Sequence, residues 1–553
     1  RVPLIVNVPL FQDETEHLHA AWAIAHGQVL YRDFWQLHPP LLYYLLAPLF
    51  PLMGEDLRVI YVARGLMLLC LLLILRETYR IATRCFDART GLLAVLLLSY
   101  LLLWWRPAYD VRPDIPQTWL VLLGLHRFMQ AWGEHRRRDF LLAGALLGVA
   151  LWFLLKTLFP LVGLTLVFAL SVGLRRSATA LRRSLTGLLL FSSGVLVPVL
   201  VGVVLLWLAG AWPGFWQWGV IGAFEWPERF SAFGLADQRP HVVSWTLAIV
   251  GVALTVSKMI RARVVDEVRL SPLLAMAVTA GTYLFLIPAP WRQSALPLLP
   301  IAAMYGADVI ARLCALAFSP VLPVPDQAIA TAPRLVRRLT WMGLVGLLLF
   351  GICGPPVQAV LSKMSPLSDQ WADRRQIIEY VLALTSPEDS IFDSYALYIF
   401  RPHASYYYVI TTAHVMWLWS GLIRESDIMN DLRRNHCKVA IFSRYLVELP
   451  PNLLRFLQAH YVSTRFHEQD RVVLVAGRVL KPHDLQGNRA TISLIASAEY
   501  TVRVQGGEPR VYIDGASYQA PLFLEQGEHQ VVVEGRFGAI TIFYAGASKT
   551  ALW

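Results

Sequence analysis

Asp13 and Glu14 stand side by side near the head of FQDETEHLHAAWAIAHGQVLYRDFWQLH, residues 11–38, which also holds His17, His19, His26, His38 and the step Arg32-Asp33. Carboxylates remove protons from hydroxyls and imidazoles carry them, so this grouping offers general-base chemistry. The stretch runs into PPLLYYLLAPLF, an apolar run opened by Pro39-Pro40. A segment whose Trp22, Ile24 and Leu30 rest in a membrane interface, followed by a second apolar helix, would hold Asp13 at the lipid-water boundary. There it could take a proton from an acceptor hydroxyl while a lipid-borne substrate approached sideways from the bilayer.

The elements that must position these residues follow from composition. The chain has 553 residues, of which 56% are hydrophobic and 16% charged, with a mean hydropathy of +0.49. No soluble globular domain carries that much apolar surface, so the expected fold class is an α-helical polytopic membrane protein. Spans are expected at 57–76, 90–107, 114–131, 139–156, 158–174, 185–211, 241–257, 271–289, 293–314 and 336–353, each near the ~20 residues a bilayer requires. The net charge of +11 sits mostly in short Arg clusters between spans, which orients the chain and sets nucleic acid aside as a partner. Arg76, Arg80, Arg84 and Arg89, the runs 136–138, 175–183 and 258–269, and Arg334, Arg337 and Arg338 fall on the cytoplasmic side by the positive-inside rule. The opening stretch, the 106–113 turn, Lys156, the aromatic loop 212–240, PAPWRQ at 288–293 and all that follows 353 then face outward. An eleventh helix before Arg1 would complete the alternation, with 39–53 a short interfacial helix; about 11 transmembrane helices result.

Charge, turns and alternating strands increase after Cys353. The expected domains are therefore 1–354 in the membrane, with 1–56 its first external loop, an extracytoplasmic α/β domain at 355–485, and a β-sandwich at 486–553. Gly506-Gly507, Asp514-Gly515 and Glu525-Gln526-Gly527 read as hairpin turns of that sandwich. The five cysteines have no disulfide or metal spacing; only Cys353 and Cys437 share an oxidising side.

Other polar residues fall at helix ends on the outer side: Arg112 and Asp114 in YDVRPDIP, Lys156 in FLLKTLFP, and Arg292 in APWRQSALPLLP. Polar groups at membrane depth are costly and have a partner or a task, and several on one face suit an anionic lipid head group. Each also reads as an interfacial side chain that snorkels to water. His17, His19 and His26 stand near Glu16 without an established zinc spacing, so no metal ligands are expected. The aromatic loop 212–240 reads either as an interfacial belt or as a cover for the site, with Glu225, Glu228 and Arg229 reaching in.

The sequence resembles the GT-C superfamily of polyprenyl-phosphate-sugar-dependent glycosyltransferases, in the branch of protein O-mannosyltransferases and lipid A aminoarabinose transferases. The resemblance rests on Asp13-Glu14, GQVLYRDFWQLHPPLLYYLLAPLF at 27–50, VRPD at 111–114, LLKT at 154–157 and LPLLPIAA at 296–303. It implies that Asp13 is the catalytic carboxylate of the first external loop, Glu14 its neighbour, and Asp114 the acidic residue of a second motif. Relatives commonly show Lys-Pro where this chain has His38-Pro39, so the phosphate-contacting cation is His38 or is moved to Lys156, Arg292 or Arg112. Tyr31, Arg32, Asp33 and Glu225 are candidate acceptor or sugar contacts.

On this reading, an inverting transferase moves a sugar from a polyprenyl phosphate donor to a glycan, lipid or protein acceptor at the outer face of a bacterial inner membrane. It requires no cofactor; some superfamily members use a divalent ion beside the first-loop carboxylate, but this branch generally does not. Arg far in excess of Lys, with abundant Leu and Ala, points to a GC-rich bacterium and hence to a bacterial polyprenyl lipid. Two readings from other classes stand beside it: a flippase of lipid-linked sugars, whose charges would line a midplane path in repeated halves, and a non-catalytic assembly subunit that binds glycan through its C-terminal sandwich.

Overall fold

The computed structural model describes residues 10–104, 110–175, 177–222, 225, 242–262, 266–286, 292–318, 343, 346, 370–393, 396–443, 447–468 and 471–549. Among them the helices run α1 Gln12–Ala25, α2 Leu41–Leu46, α3 Leu49–Met53, α4 Val59–Cys85, α5 Ala88–Trp104, α6 Asp114–Gly133, α7 Arg137–Leu151, α8 Leu158–Arg175, α9 Ala178–Leu208, α10 Val242–Ala262, α11 Glu267–Phe285 and α12 Leu298–Phe318. Helices α13 Gln370–Leu384, α14 Thr412–Trp419, α15 Glu425–Arg434 and α16 Pro451–His460 follow. Two compact units result: one of residues 1–8, 37–42 and 58–368, the other of 9–36, 43–57 and 369–553.

The first unit is helical. Six of its described helices, α4, α8, α9, α10, α11 and α12, are long and apolar enough to cross a membrane. Helices also stand where spans were expected at 90–107, 114–131 and 139–156, while the span at 336–353 lies outside the described residues except for Gly343 and Gly346. Lipid supplies no hydrophobic drive between helices, so close packing depends on small side chains. Gly144 and Gly148 of α7, spaced GALLG, lie against α9, Gly144 on Gly194 and Gly148 on Val195: a Cβ on Gly144 would come 2.1 Å from the Phe191 carbonyl oxygen, and one on Gly194 2.2 Å from that of Leu141. Helix α7 stops at Leu151, and the chain turns through a 3₁₀ step at Leu155–Thr157 before α8, so Lys156 lies in a helix break.

The second unit joins the opening stretch to the C-terminal half. The contacts therefore do not follow the domains expected from composition, which placed 1–56 with the membrane helices. Trp35 N–H donates to the Tyr406 carbonyl at 2.9 Å, the Tyr406 hydroxyl to the Tyr31 carbonyl at 3.0 Å, and Gln36 Nε2 to the Tyr408 hydroxyl at 3.2 Å. Arg401 also pairs with Glu55. Phe34 and Trp35 are buried in the process, a gain that the charge pattern of the sequence does not advertise.

The strands are β1 Ile391–Asp393, β2 Val439–Phe442, β3 Tyr461–Glu468, β4 Arg471–Leu480, β5 Arg489–Leu494, β6 Ala498–Gln505, β7 Arg510–Ile513, β8 Ala516–Ser517, β9 Leu522–Leu524, β10 Gly527–Glu534 and β11 Ala539–Tyr544. Strands β1 and β2 pair in parallel, with α14 and α15 between them, the crossover that parallel pairing requires. A second sheet runs β5-β10-β7-β8. The boundary expected at 485/486 is bridged by β4, whose residues 472–475 pair with β2 and whose residues 477–480 pair with β11.

Of the three expected hairpin turns, Asp514-Gly515 is one: both residues have positive φ, 51° and 83°, and Ile513 pairs with Ala516. Gly506-Gly507 and Glu525-Gln526-Gly527 are corrections. The first connects β6 to β7 and the second β9 to β10, strands of different sheets, so each is a crossing between layers. Pro355, Cys353 and the expected start of the soluble domain lie outside the described residues.

The glycine contact of α7 and α9 yields a prediction. Gly144→Val should lower the unfolding free energy by roughly 2 kcal/mol or more, because neither backbone can retreat. Gly173→Ala, where a Cβ meets nothing within 4 Å, should stay within about 0.5 kcal/mol. Thermal unfolding of the two variants in detergent measures the difference.

Candidate functional site

Helix α1 carries the first-loop carboxylates. Asp13 and Glu14 lie in its first turn, where the helix dipole favours negative charge. Phe11 offers no side-chain acceptor, so only half of a capping box forms: the Glu14 carboxylate accepts from the Phe11 N–H at 3.3 Å. Glu14 is fully buried in that role, whereas Asp13 is half-buried and the more accessible of the two.

The expectation of an amphipathic helix lying in the membrane interface is corrected here. Residues 14–23 are buried all round, including Trp22, and Leu30 is buried as well, so protein encloses α1. The histidines explain why. His19 Nδ1 donates to the Ile399 carbonyl at 3.0 Å, which leaves its Nε2 to accept from His403 Nδ1 at 3.3 Å. Tyr398 and Tyr408 pack against the His19 ring at 4.6 and 4.9 Å between centroids. His17 Nδ1 meets the Tyr43 hydroxyl at 3.3 Å, and His26 Nδ1 donates to the Trp22 carbonyl at 2.8 Å.

Burial lowers the pKa of three enclosed imidazoles of this unit: His19 well below its usual value, with His403 as a second cause, His403 to about 4, and His414 of α14 to about 3. Desolvation disfavours the cation.

Tyr31, Arg32 and Asp33 form a turn rather than an open contact surface. Tyr31 is buried with φ of 67°, and its N–H donates to the Phe34 carbonyl at 2.9 Å. Arg32 forks onto Asp33 with two bonds of 2.8 Å, and Asp33 also accepts the Val29 N–H at 2.7 Å. The Arg32 hydrogen bond holds the Asp33 carboxyl below its ordinary range.

The helical unit holds the other candidates. Arg112 Nε donates to Asp114 Oδ2 at 3.3 Å, with both side chains almost wholly buried, so this pair offsets its own charge. Lys156 Nζ donates to Ser294 Oγ at 2.7 Å. The charges of Asp114 and Arg112 both act on Lys156, so the structure brings VRPD and LLKT together. Gln117, three residues into α6 from Asp114, donates to Thr157 Oγ1 at 3.0 Å. Sequence reasoning passed over Ser294 and Gln117; the one signal was helical spacing, since positions three apart share a face.

Arg292 opens the 3₁₀ turn Arg292–Ala295. His38 is half-buried ahead of Leu41, whose N–H donates to the Trp152 carbonyl at 3.0 Å. Glu225 is exposed, while Glu228, Arg229 and most of the aromatic loop lie outside the described residues. Among the described residues, no three His, Cys, Asp or Glu side chains cluster as metal ligands.

With this geometry established, similarity to known proteins can be stated. Residues 37–207 match the family model for dolichyl-phosphate-mannose-protein mannosyltransferase. The fold matches ArnT from Cupriavidus metallidurans bound to undecaprenyl phosphate at a TM-score of 0.55 and 16% identity, over 86% of this chain and 96% of that one. The apo state of the same protein matches at 0.54 and 14% identity, over 85% and 95%. The match to the family model covers under a third of the chain, and the likeness to ArnT is one of fold. No curated protein sequence matches this chain.

The buried imidazoles predict a pH dependence. In the unfolded chain a histidine titrates near 6.5; in the fold His403 does so only near 4. Between these values the unfolded state binds more protons, so stability is complete above pH ~6.5 and declines as pH falls toward 4, by on the order of 3 kcal/mol for His403. Unfolding midpoints recorded from pH 7.5 down to 4.5 should drop accordingly; a flat profile would contradict the assignment.

Proposed function

We propose that this chain is an inverting glycosyltransferase that takes a sugar from a polyprenyl phosphate donor and delivers it to a hydroxyl or amine acceptor at the outer face of a bacterial inner membrane. The observation that supports this most is the division of labour in the first turn of α1. Glu14 is buried with its carboxylate on the Phe11 N–H, whereas Asp13 in the same turn is half-buried and so the more accessible of the two to a nucleophile. The likeness of fold to a protein bound to undecaprenyl phosphate supports the lipid-linked donor.

In this mechanism Asp13 removes the proton of the acceptor, whose lone pair attacks the anomeric carbon on the side opposite the phosphate. The bond from that carbon to the phosphate oxygen breaks, and its electron pair stays on the phosphate. Configuration inverts, as in inverting glycoside hydrolysis with the acceptor in place of water.

The phosphate leaves without full protonation if a cation meets the growing charge. Lys156 suits this task best, since its hydrogen-bond partner Ser294 is neutral, whereas Arg112 is paired directly with Asp114. Arg292 and His38 remain assigned to the donor phosphate on the resemblance alone. No metal or other cofactor is assigned to the reaction.

Purified protein given a radiolabelled polyprenyl phosphate sugar should transfer label to an acceptor. Asp13→Asn should reduce turnover by at least ~10²-fold with an unchanged unfolding midpoint; full activity in that variant would remove Asp13 from the mechanism. Label crossing liposomes without transfer would favour a transporter instead. Lys156→Met should reduce turnover by about 10²-fold while Lys156→Arg retains most of it, as befits a charge and not a packing role.

A further inference from the structure

Helices α4 and α6 border a cleft of about 640 Å³ lined by hydrogen-bond donors: Arg80 and Arg84 from α4, and His126, Arg127 and Gln130 from α6, with Tyr79 beside them. Among the described residues, no carboxylate lines it. The acids stand behind. Glu77 is fully buried, 2.8 Å from His126 Nδ1 and 3.4 Å from Arg80; Glu134 holds Arg84; Asp139 lies 3.6 Å from Arg127. Each guanidinium carries more N–H donors than these carboxylates take up, so the acids fix the arginines in place and leave donors for a ligand.

Location narrows the ligand. His126 lies twelve residues beyond Asp114 on α6, ~18 Å along the axis at 1.5 Å per residue. It therefore sits toward the opposite membrane face from the Arg112–Asp114 pair, the face that the Arg-rich connections assign to the cytoplasm. Along α4, exposed Leu72 precedes Arg76 and Arg80 at four-residue spacing, so an apolar strip open to acyl chains leads up to the basic cleft. A soluble anion would have no use for that strip.

We propose that this cleft binds the phosphate of an anionic membrane phospholipid from the cytoplasmic leaflet. Basic pockets between spanning helices on that side suit such head groups, since guanidinium forks match phosphate oxygens in both charge and geometry. The site is separate from the donor chemistry and stands or falls independently of it.

The test uses the full chain in detergent with dioleoyl phosphatidylglycerol or dioleoyl phosphatidylcholine as probe, read by native mass spectrometry. The parent should retain phosphatidylglycerol in preference to phosphatidylcholine. Gln130→Glu adds one negative charge to the lining yet keeps the oxygen that accepts from Arg127 Nη1 at 3.2 Å. It should weaken phosphatidylglycerol binding by about tenfold without moving the unfolding midpoint. Should the midpoint fall, Arg80→Gln at the half-exposed rim serves as the second variant, with the same loss expected. Equal retention by parent and variants, or equal retention of the two lipids, would overturn the site. Displacement of the lipid by millimolar inorganic phosphate would overturn the lipid as its ligand.

Discussion

Two buried imidazoles join the opening stretch to the C-terminal half within the second unit. His19 can donate to the Ile399 carbonyl and accept from His403 only while its own ring is neutral, since a second proton on it would set its Nε2–H against the N–H of His403. That contact fastens α1, and Asp13 with it, to a segment nearly four hundred residues later in the chain. The tyrosines and Phe34 packed around the pair exclude the water that would otherwise stabilise a charged ring. The opening stretch is thus an inlay of the C-terminal half and owes its shape to it.

The helical unit answers the same constraint with charges instead of neutral rings. Arg112 is matched by Asp114, Glu77 by His126 and two arginines, Glu267 by Ser171, and Lys156 by Ser294. A charge buried among apolar helices without such a partner would be strongly disfavoured. Lys156, like Glu267, has a neutral hydroxyl as its hydrogen-bond partner.

How much of this was legible in the sequence depends on the range of the interaction. Helices came through because hydropathy and Arg spacing are local signals: α4 to α12 stand where apolar runs stand. The Asp514-Gly515 hairpin was likewise readable from a short pattern. What could not be read was pairing across distance. The burial of α1 depends on Tyr398, His403 and Tyr408, so Trp22 and Leu30 looked fit for an interface when they are core. Arg32 and Asp33 looked like separate contacts, yet each is the other's partner. Gly506-Gly507 looked like a hairpin because sequence reports a turn but not which sheet the next strand joins. The glycines of α7 could have been noticed from their four-residue spacing; Gly194, which lies against Gly144, could not.

Strand β4 joins the two halves of one seven-stranded sheet, its first part zipped to β2 and its second to β11. Cutting the chain after residue 485 would therefore not release an independent appendage. It would strip the backbone groups of Gly477–Leu480 of their mates and bare a raw margin of the kind that invites other chains to add on. The last sixty-odd residues thus serve as a selvedge for the fabric that cradles α1, and evolution could not have discarded them without first reknitting that hem.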